Sequence, residues 1–226
     1  MFRVLTRVIA DAMVVAIVLF VAAGTVAWQR AWVLVAVLLV VRTLSAIAVF
    51  RVNAALLSER ATVLIHPHQP WIDRLILLAF MATAFVGVPA VAALDVFHWH
   101  VLPSPPLVLA SGGLVLFVLG WTIIAVALWE NPFAVTVVRL QNERQHTVVA
   151  TGIYSVVRHP MYAGNPLVNV GLSFWLGSYT AALFAAIPLG LLLARIGLEE
   201  GFLRRELPGY REYAARVPYR LLPGLW

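Results

Sequence analysis

Residues 141–162 read QNERQHTVVATGIYSVVRHPMY and hold more hydrogen-bonding side chains than the apolar sequence before them. A second concentration follows at Arg195-Ile-Gly-Leu-Glu199-Glu200, with Tyr210 and Tyr213 behind it. On a helix, Arg195 and Glu199 share a face, while Glu200 points about 100° away. Two readings of the Arg195–Glu199 pair stand. As a surface ion pair it would contribute only about 0.3–0.5 kcal/mol. As part of a site, the two charges would hold opposite ends of a zwitterionic cofactor and an anionic substrate.

His159-Pro160 also has two readings. Pro160 disfavours helix at His159 and suits the first turn of the helix that follows, so the imidazole either caps backbone groups or binds a ligand. A metal is not expected, because His146 and His159 have no carboxylate between them and do not share the i,i+4 spacing of a zinc helix. His66 and His68 flank Pro67, and His98 and His100 lie far from both clusters in the chain. The absence of cysteine excludes a thiol nucleophile, a disulfide framework and a thiolate metal site. No nucleophile elbow, phosphate-binding P-loop or dinucleotide fingerprint is present.

The elements that must position these residues are membrane helices. Of 226 residues, 62% are hydrophobic and 12% charged, with a mean hydropathy of +0.93. That composition leaves too little polar surface for a soluble fold, and a single membrane domain is expected. Four apolar runs are long enough to span a bilayer, at 8–28, 32–50, 72–94 and 107–129. Trp28, Trp32, Trp71, Trp99, Trp121 and Trp129 are expected near the ends of these runs as interfacial anchors.

All sixteen basic residues are arginine, giving a net charge of +6. They fall between the apolar runs, which marks an orientation signal and not a nucleic-acid surface. Arg3 and Arg7, then Arg51, Arg60 and Arg74, then Arg139, Arg144 and Arg158 assign the N-terminus and residues 130–160 to the cytoplasmic side. The first run is expected to be a retained helix and not a cleaved signal. Arg42, inside the second run, is expected to snorkel or to pair within the bundle.

Beyond Pro160 a second apolar stretch, 161–196, is interrupted at Gly177-Ser178, which predicts a helical hairpin out and back. Residues 199–213 mix charge and apolar residues at helical spacing, which predicts a helix on the membrane surface ending near Pro218. The expected fold is therefore an all-α integral membrane protein of about six membrane helices, four spans plus a C-terminal hairpin, with a cytoplasmic C-terminal helix. Both polar clusters then meet on one side of the membrane.

Taken together, Gln141-Asn142-Glu143, His146-Thr147-Val148-Val149, Gly152-Ile-Tyr154, Arg158-His159-Pro160-Met161-Tyr162, Arg195, Glu199-Glu200, Tyr210-x-x-Tyr213 and Arg216-Val217-Pro218 resemble the isoprenylcysteine carboxyl methyltransferase family, in its bacterial type. The resemblance covers about 80 residues in consistent order; the first 130 residues match only as generic membrane helices. It implies a membrane methyltransferase that uses S-adenosyl-L-methionine and acts on a lipophilic or prenylated substrate entering from the bilayer, with membrane lipids around it and no nucleic acid. It also implies that Gln141, His146, Thr147, Val148, Val149, Tyr154, His159, Pro160, Met161, Tyr162 and Glu199 surround the cofactor, with Arg195 reaching the substrate and Arg158 as second candidate.

On this resemblance residues 1–130 are N-terminal transmembrane helices and 131–226 the cofactor-binding catalytic region. The Gln141 to His146 spacing is about two residues shorter than in eukaryotic members, and Leu207-Pro208-Gly209 replaces their aromatic-glycine approach to Tyr210. Two other functions remain open at this level: a sterol-type reductase using NADPH, which shares the Arg-His-Pro region, and a small membrane transporter. The arginine-only, alanine- and valine-rich composition points to a high-GC bacterium, hence an inner membrane, where the methyl acceptor is open among carboxyl, thiol and amine.

Overall fold

The computed structural model describes residues 1–62, 69–137 and 144–226, and among these every regular element is helical. In chain order they are α1 (Phe2–Ala23), α2 (Gln29–Thr62), α3 (Trp71–Trp99), α4 (Leu107–Glu130), α5 (Pro160–Leu176), α6 (Tyr179–Glu206) and α7 (Tyr210–Arg216). Helix α3 contains wide π-type turns at Thr83–Gly87 and Asp95–Trp99, and α6 bends at Ala185. Five of them, α1 to α4 and α6, are long and apolar enough to cross a bilayer. With 17 residues, α5 is shorter than these.

The helices cover one another with narrow stripes and leave apolar side chains outside. In α1 the buried residues are Val4, Val8, Ala12, Val15, Leu19 and Ala23, a spacing of three and four that forms a single stripe. Outward positions such as Val21 and Val108 are 76% and 85% exposed. In water those faces would be a liability; in lipid they are the solvent-facing surface. This is an integral membrane protein.

The closest packing is between α4 and α5, and small residues make it possible. Gly113 and Gly120 on α4 face Gly171 and Gly164 on α5. A Cβ on Gly120 would lie 2.6 Å from the Gly164 carbonyl oxygen, and one on Gly171 would lie 2.5 Å from the Phe117 amide nitrogen. In lipid, helices gain no hydrophobic drive for association, so close backbone approach supplies dispersion contacts instead.

The hairpin expected at Gly177-Ser178 is present. Gly177 ends α5 with φ 98°, a left-handed conformation that favours glycine. Ser178 caps α6 by accepting from the Ala181 amide, and its hydroxyl donates to Asp95 at 2.7 Å.

Several expectations shift. Helix α2 runs twelve residues past Phe50, bending at Asn53, whose side-chain amide donates to the Leu128 and Trp129 carbonyls at 2.9 and 2.7 Å. Those bonds compensate the broken helical ladder, so a polar residue that reads as a run end is a pinned kink. Residues 199–206 are not part of a separate surface helix but the last turns of α6; the break falls at Leu207-Pro208-Gly209, and only Tyr210–Arg216 stand apart. Trp121 lies in the middle of α4 under Arg42, 4.8 Å from ring centre to guanidinium carbon, and is no interfacial anchor. Arg42 pairs within the bundle, with Asp11 at 2.7 Å, and Asp11 also accepts from Arg7 at 2.8 Å.

Candidate active site

The start of α5 and the end of α6 come together at one end of the bundle, and α7 closes over them. Pro160 begins α5, leaving His159 in non-helical backbone at its N-cap. This kink aims the imidazole sideways onto the α6 carboxylates: Nε2 lies 3.2 Å from Glu200, and the ring stacks on Tyr162 at 5.6 Å.

Glu200 is a buried hub. One oxygen accepts from Arg158 Nε at 2.6 Å and faces His159; the other accepts from Arg220 at 3.1 Å and has Arg204 at 3.7 Å. Arg158 also donates to the Val217 and Pro218 carbonyls at 2.6 and 2.8 Å. The backbone amides of Arg158 and His159 donate to the Tyr219 and Arg220 carbonyls. The tail is thus tied to the Arg-His-Pro segment through one ionic cluster.

Beside the hub is a cleft of about 770 Å³ counting its open mouth. Its walls bring together His146, Thr147, Val148, Val149, Tyr154, Arg158, His159, Met161, Tyr162 and Glu199. Pro160 is buried at the helix start without lining it. Gln141 lies outside the described residues. Glu199 accepts from the Tyr162 hydroxyl at 2.6 Å. Nine wall residues stand outside the expected site residues: Asn131, Phe133, Ala134, Val135, Val137, Leu203, Leu207, Tyr210 and Tyr213. The signal for the two tyrosines is present in the Tyr210-x-x-Tyr213 spacing. Asn131 and Phe133 carry none beyond following a helix end.

Arg195 and Glu199 form no pair. The Arg195 guanidinium lies 5.8 Å from the centre of the Tyr162 ring, and there Nε donates to Asp73 of α3 at 3.0 Å and Nη2 donates to the Thr136 carbonyl. There it borders a second, larger cavity of about 1200 Å³ counting its mouth, which runs between α1, α2, α3 and α4. Met161 and Tyr162 line both spaces and form the wall between them.

Burial raises the phenol pKa of Tyr213 to about 12, with Arg158 opposing and Glu200 reinforcing; Tyr154 and Tyr210 are pushed up further by the same cause. The Tyr213 hydroxyl donates to the Tyr154 carbonyl at 2.8 Å, a bond that needs its proton. An unfolded tyrosine ionises near pH 10, so this stability is complete below about pH 10 and lost as pH rises toward 12. Tyrosinate absorbance followed with pH should show an alkaline loss of structure that Tyr213→Phe diminishes. Unaltered alkaline behaviour in that variant would contradict the assignment.

A family model for phospholipid methyltransferase matches residues 108–208. Protein-S-isoprenylcysteine O-methyltransferase B of Arabidopsis thaliana is 29% identical over 124 residues, covering 54% of this chain and 59% of that one. Over about half its length the chain is similar to isoprenylcysteine carboxyl methyltransferases (ICMT).

A cobalt-zinc-cadmium resistance protein of Cupriavidus metallidurans is 34% identical over 80 residues, 35% of this chain and 37% of that one. Among solved structures, that of the eukaryotic intramembrane Ras methyltransferase ICMT matches 91% of this chain and 71% of that one, at 21% identity and a TM-score of 0.52. At that identity the likeness concerns the fold alone, an ICMT-like membrane fold. The chain spans less than two thirds of the length of these curated relatives. Among the described residues no group of His, Asp or Glu could hold a metal. The matched region contains the α4–α5 seam, the Arg-His-Pro turn and the carboxylates of α6, and of these Arg158, His159 and Glu199 line the cleft.

Proposed function

We propose that this chain transfers a methyl group from S-adenosyl-L-methionine to a lipophilic acceptor that enters from the bilayer, in the manner of a carboxyl O-methyltransferase. The observation that carries the reading is the shared wall. A cleft at the bundle end that carries the polar clusters and a largely apolar cavity between membrane helices share Met161 and Tyr162 in their walls. Two reactants of opposite polarity would meet there.

The cleft suits a zwitterionic, partly aromatic ligand. Buried in its wall, the Tyr210 hydroxyl has no hydrogen-bond partner among the described residues, which is costly unless a ligand satisfies it. Glu199 and Tyr210 would hold the polar ends of the cofactor, and Phe133, Val148 and Leu207 its adenine. When bound, that cofactor supplies an electrophilic methyl group. The protein's part is to orient and to exclude water. Tyr162, fixed by its bond to Glu199, sets the wall at which the reactants meet. Arg158 acts by holding the tail closed, and Arg195 by fixing the residue 131–137 segment against α3. All cleft residues fall at 131–213, within the proposed cofactor-binding region, while the larger cavity draws on both sides of residue 130. The arginine distribution supports a cytoplasmic side for the termini and the cleft, and the arginine-only, alanine- and valine-rich composition supports a bacterial inner membrane.

Titration of detergent-purified protein with S-adenosylhomocysteine tests this. Saturable binding is expected, weakened about tenfold or more by Glu199→Ala, because a charged hydrogen-bond acceptor is removed. Preference for NADPH, or affinity indifferent to Glu199→Ala, would refute it. With radiolabelled methyl donor and membrane extract, label released by mild base identifies an ester.

A further inference from the structure

Resting on the proposed function, the charge balance of the larger cavity points to its specificity. Four arginines line it, Arg7, Arg42, Arg60 and Arg195. Asp11 answers both Arg7 and Arg42, and Asp73 answers Arg195 from outside the lining. Arg60 has no carboxylate partner among the described residues. Its Nη1 donates to the Ala134 carbonyl at 2.5 Å, the one hydrogen bond made by its five N–H donors among the described residues, and the residue lines the cavity.

Position sharpens this. Ala134 lines the cofactor cleft, while Arg60 lines the acceptor cavity. The side chain therefore bridges from one space to the wall of the other, beside Tyr162, where the reactants would meet. A charge in low dielectric surroundings with no counter-charge is costly to keep, and a site with surplus positive charge disfavours a protonated amine. We infer that Arg60 is the residue that holds the acceptor, and that it selects a lipophilic carboxylate through a forked contact. Arg195, already bonded to Asp73 and Thr136, is a positioning residue.

The test uses purified full-length protein in detergent, saturated with S-adenosylhomocysteine. The probes are N-acetyl-S-farnesylcysteine and its carboxamide, which match in size and differ in charge and in one acceptor oxygen replaced by an NH2 donor. The carboxylate should bind at least about tenfold tighter than the amide, the size of a charge-assisted contact. Arg60→Gln, which can still donate to Ala134, should abolish that preference while leaving amide and S-adenosylhomocysteine affinities within about threefold. Arg60→Lys keeps the charge but loses the fork, and should retain a reduced preference; it carries the test if the glutamine variant fails to bind S-adenosylhomocysteine.

An unchanged preference in both variants overturns the assignment and leaves Arg60 as a clamp on Ala134. Equal wild-type affinity for both probes, or binding of neither, also overturns it, as does competition by phosphatidylethanolamine in place of the carboxylate. Failure of S-adenosylhomocysteine to bind wild type would instead refute the proposed function.

Discussion

Glu200→Ala should release the C-terminal tail and abolish S-adenosylhomocysteine binding, the largest effect of any single change in the cleft. Glu200 is the carboxylate that Arg158, His159, Arg220 and Arg204 share. Its side chain and that of Arg158 are 4% and 3% exposed. Removing one partner of a buried ion pair leaves an uncompensated charge, at a cost of about 3–5 kcal/mol. Here the cost falls on one structure, because Arg158 also holds the Val217 and Pro218 carbonyls. Limited proteolysis should find residues 207–226 cleaved early in the variant. Glu200→Gln, which keeps a hydrogen-bond acceptor, should be intermediate. A Glu200→Ala protein that binds S-adenosylhomocysteine as wild type does would remove the hub from any account of the site.

Gly171→Val should prevent α4 and α5 from docking. The added Cβ would stand 2.5 Å from the Phe117 amide nitrogen and 2.6 Å from the Gly113 carbonyl oxygen. Both obstacles are backbone of a packed helix, so the helices must separate, at about 1–3 kcal/mol or more for overpacking. Since α4 ends at Glu130, next to Asn131 of the cleft wall, and α5 begins at Pro160, separation displaces two walls of the cleft. The yield of monodisperse protein in detergent should fall steeply. Gly112→Ala is the matched control: no atom lies within 4 Å of its Cβ position, and alanine favours helix. Equal yields from the two variants would show that the glycine seam is not what joins these helices.

How much of this is legible in the sequence depends on the distance over which the physics acts. The hairpin is legible because Gly177-Ser178 is a local signal, and the apolar runs are legible because bilayer thickness sets their length. The two polar clusters meet as expected, since sidedness follows from nearby arginines. Pairings across the fold are not legible. Arg195 and Glu199 share a helical face in spacing, yet Arg195 turns to Asp73, 122 positions away, and nothing local to either residue marks the other. Glu200 is correctly expected to point away from that face, but only the folded tail reveals what it points into. The kink at Asn53 reads as the end of a run, because its acceptors are carbonyls of α4. Likewise α1 to α4 read as generic spans, although their arrangement makes the larger cavity.

The wall formed by Met161 and Tyr162 has a kinetic corollary. Under the proposed function each reactant has its own doorway, one opening to water and the other to lipid. Neither product then has to leave past the other, so no compulsory sequence of arrival and departure is imposed. Initial-rate patterns should be those of random addition, with the partition coefficient of the acceptor setting its effective concentration at the protein.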